Sequence, residues 1–234
     1  MNTVCEERRI NIARKKIVAY GGVLLVVLSM AVIIVQTNMQ VINNSKRIRV
    51  ACIGDSITEL TSYPRDLQTV LGDNYYVGSF GTTGSTVLLD TYWPYMYQTS
   101  FLKAKNFLPD IVVAMLGTND ARTDNFKSVD NFVEDYIKLI KQIQSLGTKP
   151  KIFLVKPPPI FDNDLDLISE DFSEQIIPRI EEIANDQKIA LIEVYSVMEN
   201  HPEYFIDGVH PNTEGATVIA TQVYNAIKAF SERT

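Results

Sequence analysis

Five short apolar runs rich in β-branched residues are spaced along this chain, with helical stretches between and after them, and few architectures accept that alternation. The runs are RIRVACIG (Arg47 to Gly54), NYYVGSF (Asn74 to Phe80), DIVVAML (Asp110 to Leu116), KIFLV (Lys151 to Val155) and KIALIEV (Lys188 to Val194). Pro64 to Leu71, Val129 to Leu146, Ser173 to Asn185 and Thr213 to Phe230 read as helices. In the second of these, Val129, Phe132, Val133, Tyr136, Ile140 and Ile143 fall at helical spacing, and Gly147 is a natural C-terminal stop. DIVVAML, apolar almost throughout, suits a strand buried on both faces. Strands that alternate with helices close into a parallel sheet covered on both sides, so the predicted fold is a three-layer α/β/α domain.

Ahead of this domain lies a segment of another kind. Ile17 to Val35 (IVAYGGVLLVVLSMAVIIV) holds no charge and follows Arg8, Arg9, Arg14, Lys15 and Lys16. As a helix it would span about 28 Å at ~1.5 Å per residue, close to the thickness of a bilayer's hydrocarbon core. The apolar run continues past Ser29-Met30-Ala31 into VIIV, which favours an uncleaved anchor over a removable signal peptide. The basic residues before it place the N-terminus in the cytoplasm. The expected organisation is a basic cytoplasmic N-terminus at 1–16, a transmembrane helix at 17–35, a polar linker at 36–45 and an outward-facing domain at 46–234.

Charge then narrows the partners. Residues beyond 45 carry 17 basic and 26 acidic side chains, a net −9. Nucleic acid and anionic lipid headgroups both require a cationic patch, so neither is an expected partner of the domain. Cys5 lies on the cytoplasmic side and Cys52 inside an apolar strand, so they do not pair. With two Cys and two His in the chain, no zinc cluster can be assembled, and no metal is expected.

In open parallel sheets ligands bind beyond the carboxyl ends of the strands. The residues found there are Gly54-Asp55-Ser56-Ile57-Thr58 after the first strand, Gly81-Thr82-Thr83-Gly84 after the second and Gly117-Thr118-Asn119-Asp120 after the third. Asp207-Gly208-Val209-His210-Pro211-Asn212 precedes the last helix. Acyl transfer needs a hydroxyl nucleophile, a base, a group that orients the base, and donors for an oxyanion. Ser56, His210 and Asp207 meet the first three needs. The backbone N–H groups of Ser56 and Gly84 and the side-chain amide of Asn119 meet the last. Each alone has an ordinary reading as a cap or turn residue; their joint occurrence in order is the specific signal. His201, in an Asn-His-Pro turn with no acid three residues before it, is read as solvent-exposed.

GDSIT, FGTTG, GTND and DGVHPN resemble the four motif blocks of the SGNH hydrolases, also called GDSL-type esterases and lipases. The resemblance spans roughly Ile48 to Phe230. It implies Ser56 as nucleophile, Gly84 and Asn119 as oxyanion donors and His210 with Asp207 as the rest of a triad, on a flavodoxin-like parallel sheet of about five strands with no metal or cofactor. Two departures stand out. The second block often begins with Asn in this family, where this chain has Ser79-Phe80-Gly81-Thr82-Thr83-Gly84, and the first reads GDSIT where GDSL is usual. Thr58 occupies the place of the second glycine of a G-x-S-x-G elbow, so a shallow, exposed site is expected.

Tyr92, Trp93, Tyr95 and Tyr97 crowd into six residues near Gly84, and serve either as a sugar-stacking platform, as the lip of an acyl pocket or as a core-facing segment. LVKPPPIFDND (Leu154 to Asp164) is a proline-stiffened loop on the same rim. The wider pattern, with KPPPIF and DGVHPNTEGA, looks most like esterases that remove acetyl groups from carbohydrate. A lysophospholipase or thioesterase of the same fold is the alternative. Thr83-Gly84-Ser85-Thr86 partly resembles a flavodoxin phosphate loop, but such a loop follows a first strand, and here GDSIT holds that place. A glycan-binding module without turnover would be expected to lack Ser56 or His210, and both are present. No cofactor is implied; an ester substrate and a membrane are.

Overall fold

The computed structural model describes residues 47–232 except 123 and 125–128, together with 22, 25, 28–37 and 39. The chain separates into two units, Met1–Arg47 and Ile48–Thr234. In the first, residues 28–37 are helical. Among the described residues no helix is long and apolar enough to cross a membrane, and much of the anchor expected at 17–35 lies outside them.

In the second unit five strands form one parallel sheet in the order β2-β1-β3-β4-β5. They are β1 (Ile48–Gly54), β2 (Tyr75–Gly81), β3 (Ile111–Met115), β4 (Lys151–Lys156) and β5 (Ala190–Glu193). Each lies within about two residues of its sequence expectation. Side chains along a strand point alternately to opposite faces, and the core divides accordingly. Ala51, Ile53, Val112, Ala114, Ile152 and Leu154 face one layer; Val50, Cys52, Ile111, Val113, Phe153 and Val155 face the other.

The helices that cover these faces are α1 (Ser56–Leu60), α2 (Tyr63–Leu71), α3 (Thr99–Asn106), α4 (Val129–Gln144), α5 (Ile177–Asp186), α6 (Tyr195–Met198) and α7 (Thr213–Ser231). Phe101 of α3, Phe132, Tyr136, Ile140 and Ile143 of α4, and Ile177, Ile180 and Ile183 of α5 pack on the first face. Tyr63 and Leu67 of α2, Met198 of α6, and Ile219, Val223 and Ile227 of α7 pack on the second. Each of these buried aliphatic side chains contributes about 1.5–3 kcal/mol by leaving water, which is how helices this short hold their place. The expected three-layer α/β/α fold with a five-strand parallel sheet is therefore observed.

The helix expected over Ser173 to Asn185 begins differently. Phe172–Ile176 is a π-helical stretch, and regular α geometry starts only at Ile177. Pro178 lacks the N–H that would bond to the carbonyl four residues earlier, and its ring crowds that carbonyl, so the preceding turn widens. Three short helices, α1, α3 and α6, had no sequence expectation of their own.

Candidate active site

The register sets the site. Gly54 pairs with Gly81 on one side and Met115 on the other, so the carboxyl ends of β2, β1 and β3 finish level with one another. Gly54 is required there: a Cβ would meet the Met115 carbonyl oxygen at 2.6 Å and strike the Thr58 side chain. In a 2-1-3-4-5 sheet the connection leaving β1 runs outward to β2 while the one leaving β3 runs the other way to β4, and the crevice between those departures is where a ligand lodges. Asp55 and Ser56 emerge into that crevice.

Asp55 caps α1, its Oδ1 accepting from the Ile57 N–H at 2.9 Å. Ser56 is therefore the first residue of a capped helix, 6% exposed. Its Oγ lies 2.9 Å from His210 Nε2, and His210 Nδ1 lies 2.7 Å from Asp207 Oδ2. The other Asp207 oxygen accepts from the backbone N–H groups of Val209 (3.0 Å) and His210 (2.7 Å), so one carboxylate builds the turn and orients the ring. Burial on its own would raise the Asp207 carboxyl, but these N–H donors and the imidazole outweigh it and hold the carboxyl below its ordinary value. Gly208, at φ +82°, makes the turn possible, and the Phe161 N–H anchors it by donating to the Gly208 carbonyl at 2.8 Å.

The loop after β2 is held from three directions. Glu59 Oε2 of α1 accepts from both the N–H (2.6 Å) and the hydroxyl (2.7 Å) of Thr83. The Asn119 amide donates to the Ser85 carbonyl at 3.1 Å. Asp120 accepts from the N–H groups of Val87 (3.0 Å) and Leu88 (2.9 Å). Between these clamps Ser85 N–H closes a turn on the Thr82 carbonyl at 3.1 Å, with Gly84 at φ +76° in the position that calls for positive φ. No described hydrogen bond uses the N–H of Ser56 or of Gly84. All five residues expected at the site thus come to one rim.

Two carboxylates missed by sequence reasoning lie directly behind it. Asp55 and Asp120 are 1% and 0% exposed. Burial pushes Asp55 up to about 6 and Asp120 up to about 7, and Asp55 adds charge repulsion to Asp120. The Asp-Ser pair at a strand-to-helix junction is a recognisable cap signal for Asp55; Asp120, whose partners are 32 and 33 residues away, carries no local signal. Burial pushes the Cys52 thiol up to about 12, which leaves it unreactive. His201 pairs with Glu203 at 2.8 Å and stacks on Tyr204, away from the triad. Among the described residues no group of three or more His, Cys, Asp or Glu is placed to hold a metal ion.

The rim is shallow. An open depression of about 520 Å³ beside Asp207 and Gly208 is lined by Asp162, Asn163, Asp164, Leu165 and Ile206, so the end of the proline-stiffened loop does border the site. Across the exposed Ile206 lies another of about 230 Å³, bounded by Leu60, Thr61, Arg65 and Asn212. Of the crowded aromatics, Tyr95 is buried in the core, and Tyr92, Trp93 and Tyr97 are exposed.

The sheet order and crevice are those of a ligand-binding parallel α/β domain, and a serine, a histidine and an aspartate joined by hydrogen bonds stand at that crevice. The family model for the GDSL-like lipase/acylhydrolase family matches residues 52–218. An acetylxylan esterase of Xylanibacter ruminicola is 34% identical over 207 residues, 77% of this chain and 43% of that protein; the chain spans less than half the length of that curated relative. Among solved structures, a GDSL-like lipase from Bacteroides thetaiotaomicron superposes with a TM-score of 0.63 at 26% identity, covering 82% of this chain and 97% of that one. A carbohydrate acetylesterase family member from Sinorhizobium meliloti superposes with a TM-score of 0.64 at 21% identity, covering 77% and 97%, and shares the fold. The chain belongs to the GDSL-like lipase/acylhydrolase family, a class of carboxylic ester hydrolases.

Proposed function

We propose that this chain removes O-acetyl groups from carbohydrate through an acyl-enzyme on Ser56. The observation that carries the reading is the unbroken sequence of hydrogen bonds from Ser56 Oγ through His210 to Asp207, at 2.9 and 2.7 Å. In the forward step His210 Nε2 takes the proton as Ser56 Oγ bonds to the ester carbonyl carbon. Asp207 fixes the tautomer that leaves Nε2 free to accept and stabilises the imidazolium that forms. The oxyanion is received by the N–H groups of Ser56 and Gly84 and by the Asn119 amide, donors set in place before substrate arrives. His210 then returns the proton to the departing sugar alkoxide. Water, activated by the same imidazole, releases acetate from Ser56.

An acetyl group suits the surroundings. The depression beside Asp207 is lined chiefly by polar side chains, and a long acyl chain would gain little by entering it. The acetylxylan esterase relative supports the carbohydrate side of the ester. We also propose that Ile17 to Val35 anchors the chain with its catalytic domain facing outward, a reading supported by the uncharged run and the basic residues that precede it. Retention of the chain in membranes after carbonate washing, with the domain open to external protease, is the expected result for that part.

The test of the activity is hydrolysis of p-nitrophenyl esters from acetyl to palmitoyl, and of acetylated xylan, by the full chain with Ser56→Ala alongside. Acetyl preference, acetate release from xylan, and a fall of about 10³-fold or more in the variant are expected. Preference for long acyl chains would replace the carbohydrate reading with a lipid one. Undiminished turnover in Ser56→Ala would remove the mechanism.

A further inference from the structure

The exposed aromatic surface beside the site points to a particular ligand. We infer that Tyr92, Trp93 and Tyr97 form a stacking surface for an uncharged glycan chain whose acetylated unit lies at Ser56, an inference that rests on the deacetylase reading. The three rings are 85%, 59% and 71% exposed, while Tyr95 between them is 1% exposed and fills the core. Leaving one large aromatic at the surface is common; leaving three within six residues is not. Among the described residues none of these rings pairs with another aromatic.

Their backbone is rigid and its place is defined. Thr86 N–H donates to the Trp93 carbonyl at 3.1 Å and Tyr95 N–H returns to the Thr86 carbonyl at 2.9 Å, locking the aromatic segment to the loop that carries Gly84. Thr86 Oγ1 and Thr91 Oγ1 lie 2.6 Å apart, and Leu89 N–H donates to Asp135 Oδ2 at 2.8 Å, tying the same loop to α4. Two residues at ~3.3 Å each and one interstrand step of ~5 Å keep the Trp93 backbone within about 12 Å of Gly84. That is the reach of a few sugar units. A ligand here pays little ordering cost, because the segment is already fixed and aromatic side chains have few torsions to lose.

The chemistry around the rings selects the ligand. A pyranose presents an apolar face of C–H groups that stacks on the electron-rich face of an aromatic ring, and its rim of hydroxyls needs acceptors. A cavity of about 230 Å³ next to Tyr92 supplies them through Asp90, Thr91 and Asp124. Asp124 is paired with Arg122 at 3.1 Å, so the charge that disfavours uronate-bearing chains and anionic lipid comes from Asp90 and from the domain's net −9. A neutral polysaccharide is the ligand that meets both conditions.

Trp93 is the chain's single tryptophan, so emission excited at wavelengths that tyrosine does not absorb reads this surface alone. The experiment is titration of full-chain Ser56→Ala, held in a polyoxyethylene detergent that carries no sugar, with unacetylated xylohexaose, cellohexaose and mannohexaose. A saturable change in Trp93 emission with at least one of them is expected, with binding at least about tenfold weaker in a Tyr92→Ala/Tyr97→Ala variant whose circular dichroism and melting are unchanged. No change with any of the three overturns the inference, as does tighter binding of oligogalacturonate or a response only to phosphatidylcholine vesicles. Because these probes carry no ester, the two readings fail separately. Acetate release from xylan without a fluorescence response leaves the deacetylase standing and removes the surface; a response without hydrolysis does the reverse.

Discussion

The side-chain amide of Asn119 donates to the Ser85 carbonyl at 3.1 Å, so the residue that follows β3 fixes the loop that follows β2. This bond sets the plane of an amide proposed to meet the oxyanion, and at the same time positions Gly84 one residue before Ser85. Asn119→Ala therefore loses a donor and loosens a neighbour. A fall of about 10²–10³-fold in kcat is expected for p-nitrophenyl acetate, with a smaller change in KM, because the contact matures only in the transition state. A pure rise in KM with kcat intact would contradict this role.

Asp120 makes stability depend on pH in a predictable direction. Its folded carboxyl is pushed up to about 7 and that of Asp55 to about 6, against ~3.9 for the unfolded chain. The folded state thus keeps protons that the unfolded state has lost. The contribution of both groups is fully present below pH ~4 and is lost as pH rises through 6 and 7. Asp207, held low, works oppositely and contributes above the ordinary carboxylate range. Asp120→Asn has no proton to lose, so its urea midpoint should vary less between pH 4.5 and 7.5 than that of the parent. At pH 4.5 the parent's carboxyl is itself protonated, and an amide oxygen can still accept from Val87 and Leu88, which both reach Oδ1, so the two proteins should differ there by less than about 1 kcal/mol. Parallel curves for the two proteins would refute the assignment.

The elements readable in the sequence were those whose information is local. Strand runs, the helical spacing of Phe132, Tyr136, Ile140 and Ile143, and the residues after each strand all lie within short windows, and the parallel sheet follows from their order. Ser56, Gly84, Asn119, Asp207 and His210 were legible because the chemistry demands those types and the topology carries each to one rim. Asp120 and Glu59 were not, because a carboxylate that clamps a backbone 24 or 33 residues away looks like any polar residue. Helix α1, five residues long, has too few turns to show a period. The π-helical stretch was hidden because the apolar spacing of Ile176, Ile177, Ile180 and Ile183 runs through it as in an ordinary helix.

Asp207→Asn tests orientation of the base. The amide can still accept from Val209 and His210 N–H, so the turn survives, but its NH₂ group opposes the Nδ1–H of the required tautomer. A loss of about 10³–10⁴-fold in kcat with little change in melting is expected. Activity near that of the parent would take Asp207 out of the mechanism.

Gly208 carries the last test, because the geometry of the triad depends on a residue that takes no part in the chemistry. At φ +82° any side chain is strained, and a Cβ at this position would strike the Asp162 carbonyl oxygen. Asp162 belongs to the loop that anchors the turn through the Phe161 N–H, so neither partner can retreat without moving the other. Gly208→Ala should cost about 1–3 kcal/mol of stability. The turn relieves the collision by shifting, and a displacement of about 1 Å between His210 and Ser56 lowers kcat by about 10²-fold. Gly147→Ala is the control: open space surrounds its Cβ position and its φ is ordinary, so kcat should not change. Equal kcat and melting temperature in the two variants would mean that the Asp207–His210 turn is free to adapt and does not set the geometry of the base.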